Sequence, residues 1–137
     1  MLLLRCIVMA RRRKPPPALH ELETEIMETI WAGGEMTVRQ VMEELNARTP
    51  PARAYTTFMT VMARLDDKGL LTRRREGKTD VYRPVMSRED YVSVRAETEV
   101  GELVDEFGDL ALTHFARRMA SLDPERRRAL ERLARKA

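Results

Sequence analysis

The feature that most constrains the fold is a change of periodicity at Lys68-Gly69. From Leu19 to this point, apolar residues recur at three- and four-residue steps, which is typical of amphipathic helices. After it come two short strand-like runs, 70–75 and 81–84, separated by a turn that contains Gly77. The sequence therefore predicts several helices followed directly by a small antiparallel hairpin.

Three helices are predicted before the hairpin. The first covers 19–31 and ends at Gly33-Gly34, and the second begins at Thr37, whose spacing from Gln40 is that of a capping box. The third covers 55–68, where a cation and a glycine are suitable end residues. Its predicted core stripe consists of Phe58, Val61, Met62 and Leu65.

This order of elements predicts a winged helix-turn-helix over residues 19–86. The fold class is mainly α with a small β-wing (α+β), followed by a C-terminal helical region over 87–137. That region contains more apolar residues than one isolated helical hairpin can bury, so it is predicted to form a homodimer. The predicted dimerisation residues are Val100, Leu103, Val104, Phe107, Leu110, Phe115, Leu130 and Leu133.

Residues 1–18 are predicted to be a disordered, basic, proline-rich arm. An apolar run precedes the cations 11–14, which is the reverse of the order in a signal peptide. The run is also too short to span a bilayer, so no membrane insertion is expected.

The composition excludes several kinds of site. Cys6 is the only cysteine, so one chain can build neither an internal disulfide nor a cysteine-rich zinc site, and a reducing, cytoplasmic location is predicted. His20 and His114 are far apart in sequence, and no metal or other cofactor is expected. The sequence contains no glycine-rich phosphate loop and no Gly-x-Ser-x-Gly motif, so an enzyme is not predicted.

The third helix and the wing carry the residues expected to contact double-stranded DNA. An α-helix fits the major groove, where threonine hydroxyls and arginine can reach base edges. Arginines on a wing would lie near phosphates, which give affinity but little sequence discrimination. The predicted DNA-binding residues are Arg53, Tyr55, Thr56, Thr57, Met59, Thr60, Arg64, Arg73, Arg74, Arg75 and Lys78.

Two of these assignments leave alternatives. Arg64 either contacts DNA or forms an ion pair that fixes the helix to its own domain. The arginines 73–75 alternate along a strand, so one of them is expected to face away from the other two.

A protein–protein docking module without specific DNA binding is the alternative function, because winged helices also serve in that role.

Several segments carry a family resemblance. The runs 19–31, 37–41, 55–70 and 82–84, above all the Thr-Thr-x-x-Thr-x-x-x-Arg-Leu-x-x-Lys-Gly segment, resemble the BlaI/MecI family of penicillinase repressors, which includes the CopY-type regulators. The resemblance implies a winged helix that binds a palindromic operator, and a C-terminal region that dimerises. It also implies a membrane-bound sensor protease as a partner.

The chain departs from the family pattern where release from DNA is concerned. Family members that respond to β-lactams are cut at an Asn-Phe bond in the dimerisation region, whereas the single asparagine here is Asn46, in the second helix. The paired Cys-x-Cys motifs of the copper-responsive members are also missing. The sequence therefore does not identify the releasing signal.

Overall fold

The structure is a computed structural model that describes residues 16–136. Its elements are α1 Glu21–Gly33, β1 Met36–Thr37, α2 Val38–Arg48, α3 Tyr55–Asp67, β2 Leu71–Glu76, β3 Thr79–Pro84, α4 Arg88–Phe107, α5 Asp109–Ala120 and α6 Pro124–Lys136. The chain divides into two compact units, one ending at Ala96 and the other beginning at Glu97. Apart from its last three residues, the predicted N-terminal arm lies outside the described residues. The assignment of 87–137 as a dimerisation region stays a prediction.

The predicted capping box at the start of α2 is confirmed. The backbone N–H of Gln40 donates to the hydroxyl of Thr37 at 3.2 Å, and the Thr37 N–H donates to the Gln40 side chain at 2.9 Å. These two bonds satisfy backbone donors that the first turn of a helix leaves unpaired. They set the point at which the chain leaves the sheet and enters the helix.

The sheet contains three strands in the order β1-β3-β2, all antiparallel. The sequence analysis missed β1, because two residues are too few to show an alternating pattern. The hairpin turn is also shorter than expected, since Glu76 already pairs with Thr79. Gly77, with a φ of 64°, adopts the left-handed conformation that so tight a turn requires.

One hydrophobic core lies within the first unit, between α1, α2, α3 and the sheet. The predicted stripe of α3 is buried in it. Its largest fully buried side chains are Tyr82, Phe58, Ile26, Met27, Ile30, Met62, Leu65, Leu70, Leu71 and Val41.

The start of α4 is joined to this unit through Tyr91. Its ring lies 5.5 Å from that of Trp31, and its hydroxyl donates to the carbonyl of Pro17 at 2.7 Å. Trp31 donates in turn to the carbonyl of Met86 at 3.0 Å. The tryptophan therefore ties α1 to the segment that follows the wing.

Among the described residues 97–136, the second unit buries no side chain. Neither α5 nor α6 buries a single residue, and Gly108, with a φ of 59°, separates α4 from α5. Most of the apolar side chains predicted to form the dimer are exposed, while Val104 and Phe115 are half-buried. The most exposed are Phe107 at 51%, Leu110 at 60% and Leu133 at 63%.

Candidate nucleic-acid interface

Helix α3 has one buried face and one polar, exposed face. The exposed face carries Tyr55, Thr56, Thr57, Met59 and Thr60, all predicted to contact DNA. Within residues 16–136, no hydrogen bond engages the hydroxyl of any of the three threonines. These groups are therefore available to donate to, or accept from, a ligand outside the chain.

The N-terminal end of α3 is positioned by the side chain of Asn46. Its amide donates to the carbonyl of Arg53 at 3.0 Å and accepts from the Arg53 N–H at 3.0 Å. The guanidinium of Arg53 also contacts the carboxylate of Glu25 at 3.2 Å. Arg53, predicted to bind phosphate, thus takes part in a network that fixes the loop before α3.

The C-terminal end of α3 is fixed by a buried carboxylate. The ammonium of Lys68 lies 2.7 Å from Glu23 Oε2, and the other oxygen of Glu23 accepts from the His20 N–H at 3.0 Å. Burial by itself would raise the pKa of Glu23, but the hydrogen bonds from Lys68 and His20 outweigh it and hold the pKa below its usual value. Glu23 is therefore charged at neutral pH and links α1 to the end of α3.

Arg73 joins the wing to α3. Its guanidinium lies 3.2 Å from Asp66 and 3.8 Å from Asp80, and it donates to the hydroxyl of Tyr82 at 3.1 Å. The hydrogen bond to that hydroxyl is the main reason that the pKa of Arg73 is raised. This contact sets the position of the wing relative to the C-terminal end of the helix.

The other two wing arginines also have acidic partners. Arg74 lies 2.7 Å from Glu35 and 3.1 Å from Glu76, whereas Arg75 lies 3.5 Å from Asp80. The strand register places Arg73 and Arg75 on the face that carries Tyr82, and Arg74 on the opposite face. The expected alternation of the triplet is confirmed.

Three exposed cations, one each on α2, α3 and the wing turn, have no carboxylate partner among the described residues. Arg64 and Lys78 are both exposed. Because no carboxylate within 16–136 pairs with Arg64, the alternative that it forms an ion pair within its own domain finds no support there. The third cation, Arg39 near the start of α2, was missed by the sequence analysis. Its guanidinium lies over the ring of Tyr55, 5.6 Å from the ring centre. The signal for Arg39 was its position on α2, because in helix-turn-helix proteins the helix that precedes the groove-reading helix crosses the DNA backbone.

No group of three or more histidine, cysteine, aspartate or glutamate side chains in 16–136 could hold a metal ion. No helix in this range is both long and apolar enough to cross a bilayer. An open groove between α1 and α2 contains carboxylates, but Glu25, Glu28 and Glu44 are already paired with arginines.

Comparison with known proteins adds the decisive observation. Residues 19–136 match the model of the penicillinase repressor family. The chain belongs to this family. A relative from Mycobacterium tuberculosis (strain H37Rv), transcriptional regulator BlaI, is 36% identical over 118 residues, which cover 84% of each chain. A penicillinase repressor from Bacillus licheniformis is 29% identical over 85 residues, 62% of this chain and 65% of that protein.

A solved structure is also similar to the structure of this chain. The complex structure of hsRosR-S4 matches 81% of this chain and 98% of that chain, with a TM-score of 0.52. Because the sequences are only 17% identical, this likeness concerns the fold alone. The predicted fold class, family and function class, a DNA-binding transcriptional repressor, are confirmed.

Proposed function

We propose that the chain represses transcription as a cytoplasmic homodimer bound to a palindromic operator. Helix α3 enters the major groove, and the cations beside it contact the phosphate backbone. The observation that carries this proposal is the exposed threonine face of α3, which lies among cations that have no carboxylate partner in 16–136.

The two ends of α3 suggest how the helix is presented to DNA. Asn46 fixes the loop before it, and Glu23 holds Lys68 after it, so both ends are attached to the core of the first unit. A recognition helix held at both ends reaches base edges without having to be ordered on binding, and this lowers the entropic cost of recognition. Thr57 and Thr60 then read bases, and Arg39 and Arg64 bind phosphates.

The second unit supplies the argument for a dimer. Its apolar side chains are exposed along α4, α5 and α6, and an exposed apolar surface of this kind marks an interaction site. A second copy of the chain presents the same surface, as an isologous interface requires. Two recognition helices related by a two-fold axis would read a palindromic site.

A membrane-bound sensor protease, implied by the resemblance, stays a prediction. The only asparagine, Asn46, is followed by Ala47, so such a protease would have to cut a bond other than Asn-Phe. No described contact favours the protein–protein docking alternative.

The proposal is tested by the binding of purified protein to a labelled duplex from its own upstream region, measured by anisotropy. The salt concentration would be set to about 50 and 200 mM, and a scrambled duplex would be measured alongside. We expect two protomers on the native duplex and an affinity at least about a thousandfold higher than for the scramble. Equal affinity for both duplexes would contradict sequence-specific recognition and favour the docking alternative.

The role of α3 is tested separately by Thr60→Ala. Loss of a base contact should weaken binding to the native duplex by about 1–3 kcal/mol and leave binding to the scramble unchanged. The matched control is Thr24→Ala on α1, whose hydroxyl donates to the His20 carbonyl at 3.0 Å within its own helix. An equal loss for both substitutions, or for both duplexes, would show that Thr60 reads no base.

A further inference from the structure

The outer face of the wing carries two cations and two carboxylates. The register places Arg74 and Glu76 of β2 on the same face as Arg83 of β3, opposite the face that contains Tyr82. Glu35 precedes β1, at the far edge of the sheet from β2, yet its carboxylate reaches the guanidinium of Arg74. A side-chain contact therefore links β2 to the residue before β1, across the strand β3 that lies between them.

The contact between Arg74 and Glu35 is short and well directed. Arg74 Nη1 donates to Glu35 Oε1 at 2.7 Å, and Arg74 Nη2 donates to Glu76 Oε2 at 3.1 Å. The hydrogen bond from Arg74, together with the positive charges of Arg74 and Arg83, holds the pKa of Glu35 below its usual value. Glu35 is therefore ionised at neutral pH.

A carboxylate in this place competes with a phosphate. The planar fork of arginine donors binds carboxylate and phosphate oxygens with the same geometry, so one fork cannot serve both fully at once. Both partners of the pair are exposed, and exposed ion pairs contribute little to stability, so the fork can exchange one anion for the other. DNA binding through Arg74 thus requires Glu35 to give up its partner.

We propose that Glu35 weakens sequence-independent DNA binding by holding the guanidinium of Arg74 in competition with backbone phosphates. This inference rests on the proposed function, because it requires the wing to lie near the DNA backbone. Sequence-independent binding depends almost entirely on phosphate contacts. It therefore loses a larger share of its affinity than sequence-specific binding does when a carboxylate of the same chain already holds one arginine. Glu35 is in this sense a specificity-determining residue that need not touch DNA.

The test is Glu35→Gln in the full chain, with affinity for the scrambled duplex measured against salt concentration. We expect the affinity at low salt to rise about two- to fivefold, because this change corresponds to the free energy of one exposed ion pair. The slope of log affinity against log salt should become steeper by about one, because one further phosphate is neutralised. The matched control is Glu28→Gln, which removes an equally exposed contact, to Arg88 at 2.9 Å on another part of the unit.

A second substitution separates the proposed competition from a simple loss of negative charge. In an Arg74→Gln background, Glu35→Gln should leave the affinity unchanged, because the carboxylate acts through Arg74. The same gain in both backgrounds, or no gain in the wild-type background, would overturn the proposal. If Arg74→Gln leaves binding to the scramble unchanged in the Glu35→Gln background, Arg74 contacts no phosphate and the proposal fails, while specific binding through α3 stands as measured on the native duplex.

Discussion

The two compact units differ in where their apolar side chains lie. Among the described residues, every buried hydrophobic side chain precedes Ala96, whereas beyond it the apolar side chains of α4, α5 and α6 are exposed or at most half-buried. Both parts of the chain have amphipathic helices, so periodicity does not distinguish them. The difference is whether a helix finds its apolar partner within the same chain.

This difference separates two ways of stabilising a helix. In the first unit, Phe58 of α3 belongs to one buried core together with residues of α1, α2 and the sheet, so the fold should not depend on protein concentration. In the second, side chains such as Phe107 have no such cover from residues 16–136 of the same chain. Most helical stability in proteins comes from packing of the apolar face. A second copy of the chain would supply that packing, and it would make stability depend on concentration.

The largest expected effect comes from Phe58→Ala. Removal of a fully buried phenylalanine side chain costs about 3–5 kcal/mol through lost burial and the cavity left behind. This is a large share of the stability of an ordinary domain, so we expect the first unit to unfold at a much lower temperature. Thermal unfolding followed by circular dichroism measures the shift, which should be the same at all protein concentrations. A wild-type melting temperature would show that the core is not where the structure places it.

The same substitution in the second unit, Phe107→Ala, should act on association instead. Loss of one buried phenylalanine from each protomer costs about 1.5–3 kcal/mol per protomer, which raises the dimer dissociation constant at least about a hundredfold. Sedimentation over a range of concentrations measures this constant. The fluorescence of Trp31, which lies in the first unit, reports whether that unit stays folded. An unchanged dissociation constant would contradict the proposed dimer surface.

The smallest effect is expected from Glu23→Gln, which tests how the first unit holds α3. The pKa of Glu23 is lowered in the folded chain, so its contribution to stability is fully present above about pH 4.5 and is lost as the pH falls through the lowered value. We expect the variant to be less stable by about 1–2 kcal/mol at pH 7 and to approach the wild type in acid.

The measurement is urea unfolding from pH 3 to 7, with Glu21→Gln as the control. Glu21 lies on the same helix but is exposed. A constant difference between Glu23→Gln and the wild type across this pH range would show that the contact with Lys68 does not depend on ionisation.

Local sequence was sufficient for most elements of the first unit. The cap formed by Thr37 and Gln40, the end of α3 at Lys68-Gly69 and the glycine of the wing turn each depend on residues that are close in the chain. Such signals can be recognised without knowledge of the fold, because the interacting groups lie within one turn of a helix or one hairpin. The same holds for the buried stripe of α3, which follows from its spacing alone.

The contacts that the sequence analysis missed join residues distant in the chain. Arg74 and Glu35 are 39 positions apart, and Lys68 and Glu23 are 45 positions apart. Periodicity shows which face of an element is apolar but not which other element lies opposite, so neither pair could be predicted. The strand β1 was missed for a related reason, since its two residues become a strand only by pairing with β3.

The sequence by itself determined the order of the helices and of the two hairpin strands, the family, and the positions of the basic and hydroxyl residues along α2, α3 and the wing. Tertiary structure alone decided which of those cations are already held by a carboxylate of the same chain and which, such as Arg39, Arg64 and Lys78, have no such partner among residues 16–136. The physical reason is that charge is a property of one residue, whereas its availability depends on the opposite charges that folding brings near.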